Sequence, residues 1–408
     1  MTAVIDLLRD IRRITSTERG STRLAYTHYE DAAHDLLWQH LGALSGLSRV
    51  EDAAGNLFIV PTNALGDSPD PVVLIGSHLD TVIEGGWLDG ALGVAVGAHV
   101  VARLAKNRRA HRRVGIVVFR DEEGVRFSTG LFGSRVFGGL CSARDLDARD
   151  GEGVRVRDVV PNPEGCIAYR PPVRSSAFLE CHIEQGLRLV DANERVGVVT
   201  GVVGIRRYTL QGLGEANHAG TTEMRRRRDA LVPVARVIAE LPGAVEDLDD
   251  AVVTCGRIVV RPGAPNIVPG RVEAVVEIRA QDTKTMDLIE QRVRDLVAAS
   301  GRTAPGKRAA SLDLQPIVAV DPVATDAGLR HGLVDLLREK DVRHCALPSM
   351  AGHDTQHAAY RCPSGMFFIP SIGGVSHNPD ENSTEEDIAL AGEVMTAWVE
   401  HALARAES

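Results

Sequence analysis

Val4, Ile5, Leu8, Ile11 and Ile14 fall on one helical face with charged residues between them, so the chain is expected to open with an amphipathic helix. A second helix is predicted from Tyr29 to Leu44. The apolar runs Leu57 to Pro61, Val72 to Ile75, Val114 to Phe119 and Ala177 to Ile183 are short and lack helical spacing, and they read as buried strands. Between them, the small-residue stretch Ala91 to Ala105 reads as a long helix. Strands alternating with helices predict an α/β domain on a mostly parallel, covered sheet.

The pattern changes near Arg206. Arg206 to Gly212 is strand-like and Asp229 to Leu241 helical; Ala251 to Arg261 and Arg271 to Ala280 are strand-like, Thr283 to Ala299 is helical, and Leu312 to Val318 closes the series. This βαββαβ order predicts an α+β domain of roughly a hundred residues, large enough to fold alone. We place it at 206–319, inserted into a first domain formed by 1–205 and 320–408. The first pattern then resumes with a helix from His331 to Lys340 and a strand from Met366 to Ile369. Ser383-Thr384-Glu385-Glu386 reads as a capping box that opens the last helix.

Composition narrows the class. With 408 residues, 44% apolar and 25% charged, the chain has the balance of a soluble globular protein with a large core. A net charge of −9 argues against a general affinity for nucleic acid. The cysteines at 141, 166, 181, 255, 345 and 362 form no C-x-x-C pair, which points away from a disulfide framework or zinc knuckle and towards a reducing cytoplasm. The first residues lack the apolar core of a secretory signal, and no run reaches membrane-spanning length.

Four segments at expected strand ends carry metal-competent groups: His78, Asp80 and Asp89; Glu122 and Glu123; His182; and His377. Open α/β sheets place ligands at the carboxyl ends of their strands. Imidazole with carboxylate suits a borderline divalent ion such as zinc or manganese. So many ligands fit two neighbouring ions, with a carboxylate such as Asp89 bridging them. One of Glu122 and Glu123 then suits ligation and the other proton transfer. Asp80, two residues from His78, suits a partner for its ring.

The motifs G-S-H-L-D-T-V-x-x-G-G-x-x-D-G, D-E-E-G-V-R-F, H-I-E-Q-G, N-H-A-G-T-T and P-S-I-G-G-V-S-H-N-P, taken together, resemble the metal-dependent hydantoinase/carbamoylase amidohydrolases. That family includes N-carbamoyl-L-amino-acid hydrolases and allantoate amidohydrolases and is related to dinuclear-zinc aminopeptidases and aminoacylases. The resemblance implies two divalent ions per subunit, zinc foremost and manganese, cobalt or nickel as alternatives, held by His78, Asp89, Glu123, His182 and His377. It implies that Asp89 bridges and that Glu122 is the general base for a metal-bridging water, and Asp80 is counted with Glu122 and His218 among the catalytic groups. It implies that the inserted domain is a lid and dimerisation domain whose His218 stabilises the oxyanion in the partner subunit's site. Asn266 and Arg279 match the pair that holds the substrate carboxylate, Gln185 a pocket residue, and Ala351 a backbone contact to substrate. The implied reaction is hydrolysis of a carbon–nitrogen bond in a ureido acid, foremost an N-carbamoyl-L-amino acid, with allantoate or an N-acyl-amino acid as alternatives. A catalytically silent metal-dependent binding protein is the remote alternative.

Three features depart from the family pattern. Glu223 stands where proline is usual, and if Thr222 caps a helix, Glu223 takes its first position, which suits an acid. Arg225 to Arg228 then crowd that helix start, and they read as a solvated face, with attraction for an anionic substrate or a partner subunit as the alternative. Met350 stands where a small residue is common and is expected to reshape the pocket.

Overall fold

The computed structural model describes residues 2–66, 70–105, 113–301 and 310–405. Its strands, among the described residues, are β1 (Leu47–Glu51), β2 (Leu57–Pro61), β3 (Val72–His78), β4 (Val114–Phe119), β5 (Ser175–Ile183), β6 (Val196–Val202), β7 (Gly204–Leu213), β8 (Ala251–Arg261), β9 (Arg271–Ala280), β10 (Ser311–Val320), β11 (Val323–Ala324), β12 (His344–Ser349) and β13 (Ser364–Ile369). The chain divides into two compact units, Met1–Thr200 with Ala324–Ser408, and Gly201–Val323.

The first unit is built on a sheet in the order β1-β2-β4-β3-β5-β13-β6-β11, with β12 also paired to β6. β4, β3, β5 and β13 run parallel. β1 and β2 add antiparallel pairings on one flank, and β6 pairs antiparallel with β13 on the other. β3, β4 and β13 are buried at every position, as central strands covered on both faces must be. The helices Thr2–Arg12, Ala91–Leu104 and Glu385–Arg405 share one core with the sheet, in which Leu8, Val94, Val394 and Trp398 meet Ile75, Ile116 and Phe367.

Several elements depart from expectation. β3 continues through Gly76, Ser77 and His78, which keep pairing with Val117, Val118 and Phe119. Polar residues extend this buried strand because they have partners, the Ser77 hydroxyl donating to Glu180 at 2.8 Å. The last helix is capped one residue later than the predicted box. Thr384 Oγ accepts from the Asp387 N–H at 3.0 Å and donates to its carboxylate at 2.6 Å, while Ser383 Oγ donates to the Pro370 carbonyl. β1, β6 and β12 escape a hydrophobic-run reading because Leu47–Glu51 is half polar, Val196–Val202 is broken by glycines, and His344–Ser349 is short and mixed.

The second unit is an antiparallel sheet, β10-β7-β9-β8. β9 alternates strictly, with Val272, Ala274, Val276, Ile278 and Ala280 buried. That face packs against Val234 and Val237 of helix Leu231–Glu240 and against Met286, Ile289 and Val293 of helix Thr283–Ser300. Asp282 caps the longer helix by accepting from the Thr285 N–H at 3.0 Å. The basic run does not begin a helix as expected. Met224–Arg226 form a single 3₁₀ turn and the helix starts only at Leu231. Thr222 donates its hydroxyl to the His218 carbonyl instead of capping. Arg225 and Arg228 pair locally with Glu223 and Glu215 at 2.6 and 2.9 Å, which disperses the charge.

Candidate metal centre

Parallel pairing brings the carboxyl ends of β3, β4, β5 and β13 to one edge, where His78 aligns with Phe119 and His182 with Phe368. The loops leaving that edge carry Asp89, Glu122, Glu123 and His377, so fragments far apart in sequence converge. His78, His182 and Asp89 are buried, whereas the His377 side chain is 51% exposed, so the cluster opens to solvent on its His377 side. Asp121, Gln185 and His377 adopt left-handed backbone with φ of 55°, 60° and 54°, the kind of strained geometry that gathers at functional sites.

Asp89 lies at the middle and uses its two oxygens differently. Oδ1 lies 3.0 Å from His182 Nε2 and 3.4 Å from His78 Nε2. Oδ2 lies 3.2 Å from His377 Nε2, which is itself 3.3 Å from Glu123 Oε2. Glu122 Oε2 approaches His78 Nε2 at 3.6 Å. The groups His78–Asp89–His182 and Asp89–Glu123–His377 each bring ligand atoms within 4.8 Å of one another, as does His78–Glu122–Glu123. Gly90 permits this closeness: with φ of 65°, a Cβ there would stand 2.5 Å from the His78 ring.

The ring hydrogen bonds set the tautomers. His78 Nδ1 faces the Asp80 carbonyl at 3.0 Å and His182 Nδ1 the Ile183 carbonyl at 2.8 Å. Each Nδ1 is therefore the donor, and whenever a ring is neutral its Nε2 lone pair lies on the Asp89 side, where His182 Nε2 also accepts the Gly90 N–H at 3.2 Å. His78 Nε2 is buried with no hydrogen-bond partner. Lone pairs facing carboxylate oxygens require positive charge between them, and a divalent ion suits this donor set. The electrostatics express the same demand. Burial favours neutral rings, yet Glu122, Asp89 and Asp80 raise His78 well above the usual imidazole range, and Asp89 raises His182. Burial and neighbouring acids, Glu123 first, push Glu122 far up, with His78 opposing. Burial and Asp89 push Glu123 to about 8. Contact with Asp89 lifts His377 to about 9. Burial would raise Asp89, but His182, His377 and His78 hold it well below the usual carboxylate range.

Asp80 supports the site in a different way from the one expected. Its carboxylate is 3.6 Å from the His78 ring, and it is the main-chain carbonyl that meets Nδ1. The carboxylate instead accepts the backbone N–H groups of Glu122 and Glu123 at 3.2 and 3.1 Å. Gln185 joins the cluster, its Nε2 donating to Asp89 Oδ2 at 2.8 Å. Ala351 lies in a short turn closed by Ser349 Oγ.

The remaining sequence-derived residues belong to the second unit. His218 is exposed, and its Nδ1 accepts the N–H groups of Gly220 and Thr221 at 3.0 and 3.2 Å. The neutral ring therefore carries its hydrogen on Nε2, ready to donate. Residues 217–219 run antiparallel to 266–268, the Ala219 N–H donating to the Asn266 carbonyl at 2.8 Å. Arg279 is half-buried on β9 and donates from Nε to Glu277 at 2.8 Å.

Three residues around the cluster were not anticipated. Glu180 is fully buried and accepts from Ser77 and from the backbone and hydroxyl of Thr355. Ser376 Oγ lies 3.1 Å from Asp89 Oδ2, and Glu381 reaches the backbone beside Asp89. A glutamate in the polar stretch Asn378-Pro379-Asp380-Glu381 carries no pattern that separates it from a solvated loop.

This fold and donor set define a metal-dependent hydrolase, and comparison with known proteins agrees. Residues 74–401 match the model of Peptidase family M20/M25/M40. The chain belongs to that family, and within it to the hydantoinase/carbamoylase amidohydrolases. It is 36% identical to N-carbamoyl-L-amino acid amidohydrolase of Geobacillus stearothermophilus, over 93% of each chain. It is 34% identical to allantoate amidohydrolase of Bacillus subtilis strain 168, over 93% of this chain and 92% of that one. A crystal structure of an amidase of the hydantoinase/carbamoylase family from Burkholderia multivorans superposes with a TM-score of 0.82 at 29% identity, covering 98% of this chain and 97% of that one.

Proposed function

We propose that the chain hydrolyses the carbon–nitrogen bond of a ureido acid, foremost an N-carbamoyl-L-amino acid, at a centre for two divalent ions. The observation that carries this reading is Asp89, whose Oδ1 faces His78 and His182 while its Oδ2 faces His377. His78 and His182 would hold one ion, Glu123 and His377 the other, and Asp89 would serve both. Zinc is the leading ion, with manganese, cobalt or nickel served by the same nitrogen and oxygen donors. When bound, the ions supply positive charge that polarises a carbonyl and makes a water nucleophilic near neutral pH. Glu122 accepts the proton of the attacking water and delivers it to the leaving nitrogen. The carbamate product then falls apart to carbon dioxide and ammonia.

His218 Nε2 donates to the carbonyl oxygen as negative charge develops there. Arg279 and Asn266 hold the substrate carboxylate, Arg279 exchanging its Glu277 partner for it. Gln185 and the Ala351 turn line the pocket. We assign dimer formation to the second unit, where the 11-residue edge strand β8 exposes Val252 and Ile258. His218 then acts on the site of a second copy. The six free cysteines suit a cytoplasmic setting, and no described helix is long and apolar enough to cross a membrane.

Allantoate is the second reading, favoured by the 34% identical relative of that name. A panel of N-carbamoyl-L-amino acids, allantoate and N-acyl-amino acids, assayed on metal-loaded protein for ammonia and amine release, separates the readings. N-Carbamoyl substrates are expected to give the highest kcat/KM. No turnover of any member would leave only a metal-binding protein.

His218→Ala is expected to lower kcat about 100-fold with metal content unchanged. Re-associating it with Glu122→Gln should restore roughly a quarter of wild-type activity, because each mixed dimer carries one site with both groups. Recovery of none would place His218 on its own subunit's site.

A further inference from the structure

Glu381 is 1% exposed, and nothing in the chemistry above uses it. Its Oε1 accepts the backbone N–H groups of Leu88 and Asp89 at 2.9 and 3.0 Å. Its Oε2 lies 2.8 Å from Ser376 Oγ, the hydroxyl that stands 3.1 Å from Asp89 Oδ2 and next in sequence to His377. Gln185 Nε2 meets both Asp89 Oδ2 and Ser376 Oγ, at 2.8 and 3.2 Å, and closes the ring of contacts. One carboxylate thus fastens the backbone that presents Asp89 to the loop that presents His377, across 292 positions of sequence.

The surroundings are shaped for it. Gly86 packs against the carboxylate, and a Cβ there would fall 2.0 Å from Glu381 Oε1. The loop bearing Glu381 is closed at its base, where the Ile372 N–H donates to the Asn382 carbonyl at 2.8 Å and Ser383 Oγ to the Pro370 carbonyl at 2.7 Å. The anchor is therefore itself held, so its grip on the Asp89 segment constrains that segment instead of following it.

We propose that Glu381 is a positioning residue for the metal centre, setting Asp89 and His377 at the separation that admits the ion they share with Glu123. The proposal rests on the two-ion reading, because Glu381 touches no ion itself and acts through the backbone of Asp89 and through Ser376. It also assigns Ser376 a role as the link between the anchor and the Asp89 carboxylate.

The test compares wild-type protein with Glu381→Ala, Glu381→Gln and Ser376→Ala, all stripped of metal and titrated with zinc and manganese by calorimetry. Cobalt absorption spectra report the coordination geometry, and hydrogen exchange of residues 82–92 is followed in the metal-free protein. Glu381→Ala is expected to weaken one of two ions about 10- to 100-fold, change the cobalt spectrum and speed exchange at Leu88 and Asp89. Glu381→Gln keeps an oxygen for both N–H groups and offers its amide to Ser376, and it should come within about threefold of wild type in affinity. Ser376→Ala leaves the backbone contacts intact and should weaken the same ion less than Glu381→Ala does. Unchanged affinity and unchanged exchange in Glu381→Ala would overturn the proposal. Wild-type protein that binds no divalent ion would instead overturn the two-ion reading, with the exchange data still deciding whether Glu381 fastens the loop.

Discussion

Glu122→Gln is expected to lower kcat about 1,000-fold while leaving both ions bound, because a general base contributes about 100- to 10,000-fold to such a step. The substitution keeps size and shape, so the packing beside His78 survives and only proton acceptance is removed. Metal analysis on the same protein is essential, since Glu122 Oε2 lies 3.6 Å from His78 Nε2 and Glu122 belongs to a group that could itself hold an ion. Loss of one ion together with activity would make Glu122 a ligand and hand the proton-transfer role to Glu123. Retention of near-full activity with both ions present would remove the mechanism altogether.

Asp89→Ala should be the most damaging substitution for metal content. Because both candidate ion positions draw on this one carboxylate, its removal is expected to weaken both, each by more than the roughly 100-fold that loss of an outer support produces. Hydrolysis should fall below detection, and metal-free unfolding should remain cooperative because the core around Ile75, Ile116 and Val94 does not depend on Asp89. Calorimetric titration with zinc checks this. One ion still bound at wild-type affinity would show that Asp89 serves a single ion and does not bridge.

The fold was legible wherever apolar runs were unbroken. β2 and β4 match the predicted bounds, and the βαββαβ order of the second unit follows from alternation and helical spacing. β3 was cut short at Ile75 because Ser77 and His78 look like loop residues until Glu180 and Asp80 supply their partners. The four chemical loops stood out because histidines and acids followed buried strands. What spacing alone left open was which acid lies at the middle, since that depends on loop paths and on the left-handed turns at Gln185 and His377. Spacing pairs the Asp80 side chain with the His78 ring, but it is the main-chain carbonyl that meets the ring, and the carboxylate holds the Glu122–Glu123 backbone, a contact across 42 positions. Glu381 was invisible because burial is a property of the assembled loops.

The place of β13 in the sheet has a consequence for biosynthesis. It lies between β5 and β6, yet it is made only after the entire Gly201–Val323 unit. A nascent chain that has emerged only as far as residue 323 holds β3, β4 and β5 but has neither the strand that joins them to β6 nor His377. Until β13 is made, β5 has an unpaired parallel edge, the arrangement that non-local pairing makes slow and exposed to aggregation. Any product ending before residue 377 therefore lacks part of the candidate centre, whatever the rest of the sheet has formed by then.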